Sequence, residues 1–536
     1  MQTDVLIVGA GPTGLMLANE LGRRGVRAII VDRHSGPAQQ TRAMAVQART
    51  LEIYRKLGVA ERAIELGKRA TGANMWARGR RMARLRLGEI GEGLSPYPYV
   101  LMLGQDDNEA ILGARLADWD MAVQWNTELI AMKQHPDHVE ATLRQQDGTR
   151  RTVDAAYVAG CDGARSAVRE MSGIAFPGAP YEHVFFVADT EAVGPMVPDE
   201  LNVYLWREGF HLFFPMAGVN RWRVIGIIPQ ALREQRDLTF EALIPGLQAE
   251  AGATLTFERC SWFSTYRIHH RSAERFRDGR CFLLGDAAHI HSPVGGLGMN
   301  TGLQDAYNLG WKLALVISGR ADAALLDTYA SERMPVAKRL LQTTDRAFML
   351  IVSDHSIARL LRSRVIARVA AVAMRFERVR KLAFRTVSQV GIRYPGSALS
   401  QSLAGLPESA PRAGDRLPWL QLRFDANGPI EDAHAKLDDT RFALLAIGQA
   451  VDMKSLSACE DILRVHAIPD DPVNGPALRR AGIPQPSFYV VRPDGHIGLA
   501  GATLDEAIVL RYLHERMRLA DAPRKALQPS MVSSER

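Results

Sequence analysis

The segment from Cys281 to Leu315 reads CFLLGDAAHIHSPVGGLGMNTGLQDAYNLGWKLAL, and the rest of the predicted architecture follows from it. Its first residues, Cys281–Leu284, are apolar and predict a buried strand that ends at Gly285-Asp286. A glycine-rich loop follows, and apolar residues then recur at helical spacing at Leu303, Ala306, Leu309, Leu313 and Ile317. A strand, a glycine loop and a helix start form a place where backbone N–H groups can meet a flat, negatively charged ligand. A tight turn into a packed helix is the alternative, but it needs fewer glycines.

The amino terminus carries a second glycine pattern in the context of a strand and a helix. An apolar run, Asp4–Val8, leads into Gly9-Ala10-Gly11-Pro12-Thr13-Gly14, and a second run, Ala28–Val31, ends at Asp32. This is the dinucleotide fingerprint: the first glycine makes the turn, the second admits a pyrophosphate and the third allows close helix packing. Asp32 is expected to accept a hydrogen bond from a ribose hydroxyl. The fingerprint does not separate NAD from FAD, whereas Asp286 and its loop favour FAD.

A third string, Asp162-Gly163-Ala164-Arg165-Ser166-Ala167-Val168-Arg169, completes a set of motifs that resembles the para-hydroxybenzoate hydroxylase family, the group A flavoprotein monooxygenases. The resemblance covers residues 3–394. It implies that Asp286 binds the ribityl chain of FAD, that Pro293 lies beside the flavin ring and that the helix start after Gly298 faces its pyrimidine edge. The cofactor-binding residues implied in this way are Gly9, Gly11, Pro12, Thr13, Gly14, Asp32, Arg33, Arg42, Gln105, Asp162, Gly285, Asp286, Pro293, Gly298, Met299 and Asn300.

The same resemblance implies an α/β fold in which a Rossmann-like FAD-binding domain is interleaved with a β-sheet substrate domain. A short-stranded carboxyl-terminal region is similar to the thioredoxin-like tail of larger aromatic hydroxylases. Because Cys459 is its only cysteine, we expect packing or homodimer formation there and not dithiol chemistry. The expected segments are 1–72, 101–173 and 269–394 for the FAD-binding domain, 73–100 and 174–268 for the substrate domain, 395–418 for a linker and 419–536 for the thioredoxin-like domain.

The substrate segment is rich in aromatic residues that alternate with other side chains. Asn202–Trp206 and Phe210–Pro215 predict a β-hairpin, and one face of its sheet is expected to cover the flavin. The run Trp262–Tyr266 resembles phenol-hydroxylase relatives, in which a tyrosine holds the substrate hydroxyl. Those relatives carry an aspartate at the position of Met44, so the catalytic base stays open. The predicted catalytic residues are Tyr266, His211 and Pro293, and the predicted substrate-binding residues are Tyr204, His211, Phe213, Tyr266 and Met44.

Composition and charge limit the class of protein. The chain has 536 residues, of which 47% are hydrophobic, and this is enough for several domains and a large core. The chain has a net charge of +7, and residues 353–393 alone carry +8, with ten Lys or Arg against two acids. The nearly neutral remainder argues against a nucleic-acid partner. Four scattered cysteines without metal spacing predict a reducing, cytoplasmic location and no metal site.

No apolar run approaches the ~18 residues of a membrane span, and an apolar strand follows Met1 too closely for a signal peptide. We therefore expect no stable membrane insertion. Residues 355–391 nevertheless repeat apolar side chains at helical spacing beside a basic face. We expect a helix packed on the domain with its arginines solvated, and a helix lying on a membrane surface is the alternative.

The sequence lacks a P-loop, a zinc set and a nucleophile elbow, so a bound flavin must supply the chemistry. The resemblance implies NAD(P)H as the reductant, O2 as a co-substrate and a flavin C4a-hydroperoxide that an electron-rich ring attacks. We interpret the chain as an FAD-dependent hydroxylase of a phenolic or other electron-rich aromatic compound. Two alternatives stay open: a monooxygenase of a polycyclic polyketide or antibiotic, and an FAD-binding protein without turnover.

Overall fold

The structure is a computed structural model that describes residues 1–38, 43–77, 79–205, 210–233, 235, 237–251, 255–291, 296–352, 372–373 and 375–520. The strands, in chain order, are β1 (Gln2–Val8), β2 (Ala28–Val31), β3 (Ala45–Val46), β4 (Lys68–Ala70), β5 (Gly72–Ala77), β6 (Arg80–Arg86), β7 (Val100–Met102), β8 (Val123–Gln124), β9 (Glu128–Gln134), β10 (Val139–Arg144), β11 (Arg150–Gly160), β12 (Gly178–Val193), β13 (Leu201–Leu205), β14 (Phe210–Pro215), β15 (Arg221–Ile227), β16 (Thr256–Ser272), β17 (Arg277–Asp278), β18 (Cys281–Leu283), β19 (His289–Ile290), β20 (Gln401–Ser402), β21 (Gln421–Arg423), β22 (Ile430–Asp432), β23 (Phe442–Ile447), β24 (Leu463–Ile468), β25 (Ser487–Val491) and β26 (Ile497–Gly501). The helices are α1 (Pro12–Gly22), α2 (Ala48–Leu57), α3 (Ala60–Leu66), α4 (Leu87–Gly91), α5 (Gln105–Arg115), α6 (Ala167–Met171), α7 (Phe240–Ala251), α8 (Gly298–Ile317), α9 (Asp327–Val352), α10 (Glu377–Val387), α11 (Ala433–Lys436), α12 (Gly475–Ala481) and α13 (Glu506–Arg511).

The first sheet contains the three strands that the sequence motifs predict, which are β1, β2 and β18. Its order is β17-β18-β11-β1-β2-β8, and β1 pairs in parallel with both β2 and β11. The parallel part is extended by β18 on one side and β8 on the other. Helices α1 and α8 lie against each other so closely that a Cβ on Gly310 would come 2.7 Å from the Cβ of Glu20. The mixed α/β class that the sequence predicts is therefore present.

A second sheet combines two distant parts of the chain. Its order is β19-β16-β12-β15-β14-β13-β5-β6. Strands β5 and β6 come from the segment that precedes β11, and strands β12 to β16 come from the segment that follows it. The predicted hairpin is present, because β13 and β14 pair antiparallel from Asn202↔Phe213 to Leu205↔Phe210. Helix α7 covers one face of this sheet through Phe240, Leu243 and Leu247.

The carboxyl-terminal region forms a five-stranded mixed sheet in the order β20-β26-β25-β23-β24. Strand β23 is buried at every position because it lies between β24 and β25. Residues 395–418, which composition predicts to be a linker, are packed along much of their length. Leu399 and Leu417 are each 1% exposed. Leu399 and Leu417 belong to two different apolar clusters. A few widely spaced apolar residues are therefore sufficient to pack this stretch.

Buried ion pairs join this region to the helices of the first part. The Glu332 carboxylate on α9 accepts hydrogen bonds from Arg492 Nη1 at 2.6 Å and from Lys312 Nζ at 2.8 Å, and all three side chains are fully buried. Ser397 Oγ donates to the same carboxylate at 2.6 Å. Burial alone would raise the pKa of Glu332, but Arg492 and Lys312 hold it well below its ordinary value. Ion pairs that are shielded from solvent thus hold the carboxyl-terminal region against α8 and α9.

A second buried anion, Glu52 on α2, joins the same two parts of the chain. It accepts from Arg416 Nη2 at 2.6 Å and from Arg49 Nη1 at 3.0 Å. Burial alone would raise the pKa of Glu52, but the two guanidinium groups, Arg416 first, lower it to about 2.

We predict that Glu52→Gln lowers the free energy of unfolding by about 3 to 5 kcal/mol, because it leaves two buried guanidinium groups without their anion. The folded pKa lies below the ordinary value of 4.5, so this stabilisation is complete above that pH and is lost as the pH falls toward 2. Urea unfolding near neutral pH and again in acid measures both effects. Glu65→Gln, which breaks an exposed pair with Arg62, is the matched control. Equal stability of Glu52→Gln and the parent protein at neutral pH would contradict the prediction.

Candidate functional site

Four loops meet at the carboxyl edge of the first sheet. They follow β1, β2, β11 and β18, and they carry Gly9–Gly14, Asp32, Asp162 and Gly285-Asp286. Because these strands are parallel neighbours, their carboxyl ends lie side by side. In open α/β sheets this edge is where nucleotides bind. It is therefore the candidate cofactor site.

Three glycines of the first loop differ in what surrounds them. Gly9 has φ +104°, and a Cβ there would lie 2.4 Å from the carbonyl oxygen of Cys161. A Cβ on Gly14 would lie 1.9 Å from the carbonyl oxygen of Gly9. No atom lies within 4 Å of a Cβ built on Gly11. The first and third glycines thus serve backbone packing, whereas the second leaves open space at the start of α1 into which a ligand can come close.

Asp32 holds the glycine loop as well as facing the edge. Its Oδ2 accepts from the backbone N–H of Ala10 at 2.7 Å, and its Oδ1 accepts from that of His34 at 2.9 Å. The Nδ1 atom of His34 also lies 2.7 Å from Oδ1. A carboxylate has about four acceptor positions, so one remains for a ligand hydroxyl. Arg33, the next residue, is exposed.

The turn after β18 is fixed from behind by a buried carboxylate that sequence reasoning missed. Asp305 Oδ2 accepts from the backbone N–H of Gly285 at 3.1 Å and from His289 Nε2 at 2.8 Å. Its Oδ1 accepts from Arg333 Nε at 2.6 Å. Burial would raise the pKa of Asp305, but Arg333 and His289 lower it. The signal in the sequence is a row of polar residues at helical spacing, Asp305, Asn308 and Lys312, within the predicted buried helix. Asp286 itself lies on an exposed turn in front of this network.

The start of α8 contacts the segment that precedes α2. The Asn300 side chain donates to the carbonyl oxygen of Ala45 at 2.7 Å, and it accepts from the Gln47 N–H at 2.8 Å and the Thr50 hydroxyl at 2.7 Å. These contacts occupy the Asn300 side chain, so the backbone N–H groups of the first turn are what this helix start offers to a ligand. Gly298 is the first residue of α8, and the Met299 side chain is half-buried.

Asp162 contributes a buried acceptor to the same edge. Its Oδ2 accepts from the Val168 N–H at 3.2 Å, whereas its Oδ1 is buried and has no hydrogen-bond partner among the described residues. Burial raises the pKa of this carboxyl group. A buried oxygen without a partner is costly, and a ligand hydroxyl would satisfy it.

The other predicted residues lie in different surroundings. The Gln105 side chain, at the start of α5, donates to Glu109 Oε1 at 2.8 Å. Met44 is buried in the main core, and its carbonyl oxygen accepts from the Leu103 N–H at 2.8 Å. Arg42 and Pro293 lie outside the described residues.

Strand alternation divides the predicted substrate residues between two faces of the second sheet. Tyr204 stacks on Trp76 with ring centroids 5.5 Å apart, and it joins Phe213 in the cluster under α7. The His211 ring lies 6.1 Å from that of Phe186, which belongs to the same cluster. Burial lowers the pKa of His211 to about 3, so its imidazole is neutral near pH 7. The structure therefore places Tyr204, Phe213 and His211 on the face that α7 covers.

Tyr266 lies on the opposite face, against Phe185 at a centroid distance of 6.1 Å. Side chains of that face, Leu201, Phe214 and Met216, pack against the core of the first domain. Among the described residues, this face therefore contacts the core around the first sheet, whereas the opposite face packs under α7. Tyr266 is thus separated from the other three predicted substrate-binding residues of the sheet, because successive strand residues point to opposite sides.

The chain is similar to known proteins along most of its length. A sequence model of a family described as FAD binding domain matches residues 2–344. The chain is 33% identical to 6-methylpretetramide 4-monooxygenase of Streptomyces rimosus, over 93% of this chain and 90% of that protein. It is 37% identical to pentachlorophenol 4-monooxygenase of Sphingobium chlorophenolicum, over 66% of this chain and 65% of that protein. The solved complex of aklavinone-11 hydroxylase with FAD and aklavinone superposes with a TM-score of 0.77 at 27% identity, covering 96% of this chain and 98% of the other.

Among the described residues, no helix is long and apolar enough to cross a membrane. In the same part of the chain, no group of His, Cys, Asp and Glu side chains could hold a metal ion.

We predict that Asp286→Ala weakens FAD binding by roughly ten- to a hundredfold, because charge-assisted hydrogen bonds to a ligand are worth about 1.5–3 kcal/mol. Fluorescence titration of the apoprotein with FAD measures this loss, and thermal unfolding of the apoprotein shows whether the fold is unchanged. Asp147→Ala, which removes another exposed turn carboxylate far from the edge, is the control. Parental FAD affinity in Asp286→Ala would assign Asp286 another role.

Proposed function

This chain belongs to the FAD-binding-domain family of flavoprotein monooxygenases, and on that premise we propose that it hydroxylates a phenolic, polycyclic aromatic compound. FAD would be its cofactor, NAD(P)H its reductant and O2 its source of oxygen. The relative that acts on 6-methylpretetramide aligns with nearly the whole chain, whereas the pentachlorophenol enzyme aligns with two thirds of it. That difference favours a polycyclic substrate over a simple phenol.

The residues at the carboxyl edge fit FAD. The space beside Gly11 would admit the pyrophosphate of FAD. The unsatisfied Asp162 oxygen and the exposed Asp286 carboxylate would accept hydrogen bonds from FAD hydroxyl groups. When bound, FAD supplies electron transfer and oxygen activation. The amino-terminal N–H groups of α8 would stabilise negative charge on its ring system. Asp305 would act indirectly, by holding the Gly285 turn.

One observation carries the proposal of an extended aromatic substrate. Across six neighbouring strands, one row of the face that bears Tyr266 is formed by small and apolar side chains, which the strand register places side by side: Ser264, Val187, Ile225, Leu212, Val203 and Met75. Five gaps between strands span about 24 Å. Four of these side chains, Ser264, Leu212, Val203 and Met75, are only half-buried. A flat fused-ring compound would complete their burial.

Polar groups border this row on both sides. Tyr266 lies in the next row, beside Phe185, and its phenolic hydroxyl would hydrogen-bond to a substrate hydroxyl. A hydrogen bond to the ionised form of the substrate favours that more nucleophilic form. On the other side, Arg223 and Asp189 form a bidentate pair with both distances at 2.6 Å. The substrate would therefore be oriented by its polar edges and held by its apolar face.

Three finer points belong to the same proposal. The carboxyl-terminal sheet would be thioredoxin-like in fold without redox chemistry, because Cys459 is the only cysteine of residues 419–536. It would serve packing or the formation of a homodimer. The enzyme would act in the cytoplasm.

We predict that polycyclic phenols stimulate NAD(P)H oxidation by the FAD-loaded protein and gain one oxygen atom, as judged by product mass. A panel that pairs fused-ring phenols with single-ring phenols separates the two substrate classes. Stimulation by single-ring phenols alone would reject the polycyclic proposal. NAD(P)H oxidation that no aromatic compound stimulates would favour an FAD-binding protein without turnover.

We predict that Tyr266→Phe keeps FAD binding and reduction but lowers hydroxylation by about ten- to a thousandfold, the usual contribution of a positioned acid–base group. The electrons of the consumed NAD(P)H would then reduce O2 to hydrogen peroxide without hydroxylating the substrate. The measurement is the ratio of hydroxylated product to NAD(P)H consumed. Tyr204→Phe removes a tyrosine hydroxyl from the opposite face and should leave this ratio unchanged. An unchanged ratio in Tyr266→Phe would return Tyr266 to a packing role.

A further inference from the structure

Exposed apolar side chains are concentrated in one short part of the described chain. Twelve large apolar residues are exposed among the described residues, and five of them lie between positions 372 and 387. These five are Val372, Phe376, Val379, Leu382 and Val387. Phe376 is 62% exposed and Leu382 is 66% exposed, whereas single exposed apolar residues elsewhere are ordinary for a globular protein.

Helix α10 and the residue before it place four of these side chains on one surface. Phe376, Val379, Leu382 and Val387 are three to five residues apart, so they share one side of the helix. The helix is anchored through its other side, where Phe384 is buried and lies so close to Gly91 that a Cβ there would come 2.6 Å from the ring. The sequence predicts a helix whose apolar face packs on the domain. In the described part, one buried residue does so and the wider apolar side faces outward.

Basic side chains border this outward side. From Arg375 to Val387 there are five basic residues against one acid, Glu377, a net charge of +4. Arg375, Arg378 and Arg385 are exposed, and within the described residues neither Arg378 nor Arg385 forms an ion pair with an acidic side chain. The lone acid is already paired with Lys381 at 2.6 Å. The surface therefore combines apolar area with the positive charge of the exposed Arg378 and Arg385.

This combination distinguishes among the surfaces that could cover α10. A second copy of the chain would bring two clusters of net positive charge together, which opposes self-association through this face. The boundary of a bilayer offers both complements at once: acyl chains for the apolar side and anionic headgroups for the arginines. We propose that the exposed side of α10 lies on the surface of a membrane that contains anionic phospholipids.

The test is sedimentation of the full-length, FAD-loaded protein with vesicles of phosphatidylcholine, alone or mixed with phosphatidylglycerol. We expect binding to the mixed vesicles that falls as salt is added, and much weaker binding to phosphatidylcholine alone. Phe376→Glu/Leu382→Glu and Arg378→Glu/Arg385→Glu should each bind the mixed vesicles at least about tenfold more weakly, because each removes one of the two contributions. Val219→Glu/Ile430→Glu removes exposed apolar residues elsewhere and should bind like the parent.

FAD absorbance and thermal unfolding of each variant show that the fold is intact. Failure of the parent protein to sediment with mixed vesicles at low salt would overturn the proposal. So would equal binding to neutral vesicles, or parental binding by Phe376→Glu/Leu382→Glu. If light scattering instead shows a parent dimer that this variant makes monomeric, without vesicle binding, a second copy covers the helix and the membrane proposal fails.

Discussion

The buried carboxylate of Asp305 is the interaction on which the geometry of the cofactor edge depends. It receives the backbone N–H of Gly285, the imidazole of His289 and the guanidinium of Arg333, so one side chain joins the turn after β18 to helices α8 and α9. A buried charge is tolerated only where its partners are fixed, and removing one partner leaves an uncompensated ion. The exposed position of Asp286 therefore depends on a fully buried carboxylate behind the turn.

The carboxyl-terminal region acts on the same helix from the other side. Arg492 and Lys312 share the Glu332 carboxylate, and Lys312 belongs to α8, whose first turn reaches the cofactor edge. Asn308, one turn earlier, donates to both Glu332 and Asp494. Helix α8, which would face the flavin, is thus held in its middle by residues of the carboxyl-terminal region, far in sequence from the loops of the candidate cofactor site. This explains how a region without redox cysteines can matter to the site through packing and charge.

The two faces of the second sheet have different surroundings. The face under α7 buries Tyr204, Phe213 and Trp222 in an aromatic cluster. The other face packs at one end against the first domain, closes a small cluster at the other end, and leaves a half-buried apolar row between them. In the proposed function, the area of this surface would hold a flat ligand, and the polar groups at its borders, Tyr266 and the Arg223–Asp189 pair, would orient it.

Local pattern in the sequence was sufficient for strands β1, β2 and β18 of the first sheet, for the hairpin of β13 and β14, and for the family. These features depend on residues close together in the chain, whose spacing fixes their geometry. The sequence did not reveal Asp305 or the packing of residues 395–418, and it put Tyr204 and Tyr266 in one pocket. Which face of a strand meets the cofactor domain, and which charges are buried together, were decided only by tertiary structure. The partners involved come from distant segments, and burial is a property of their assembly and not of any one segment.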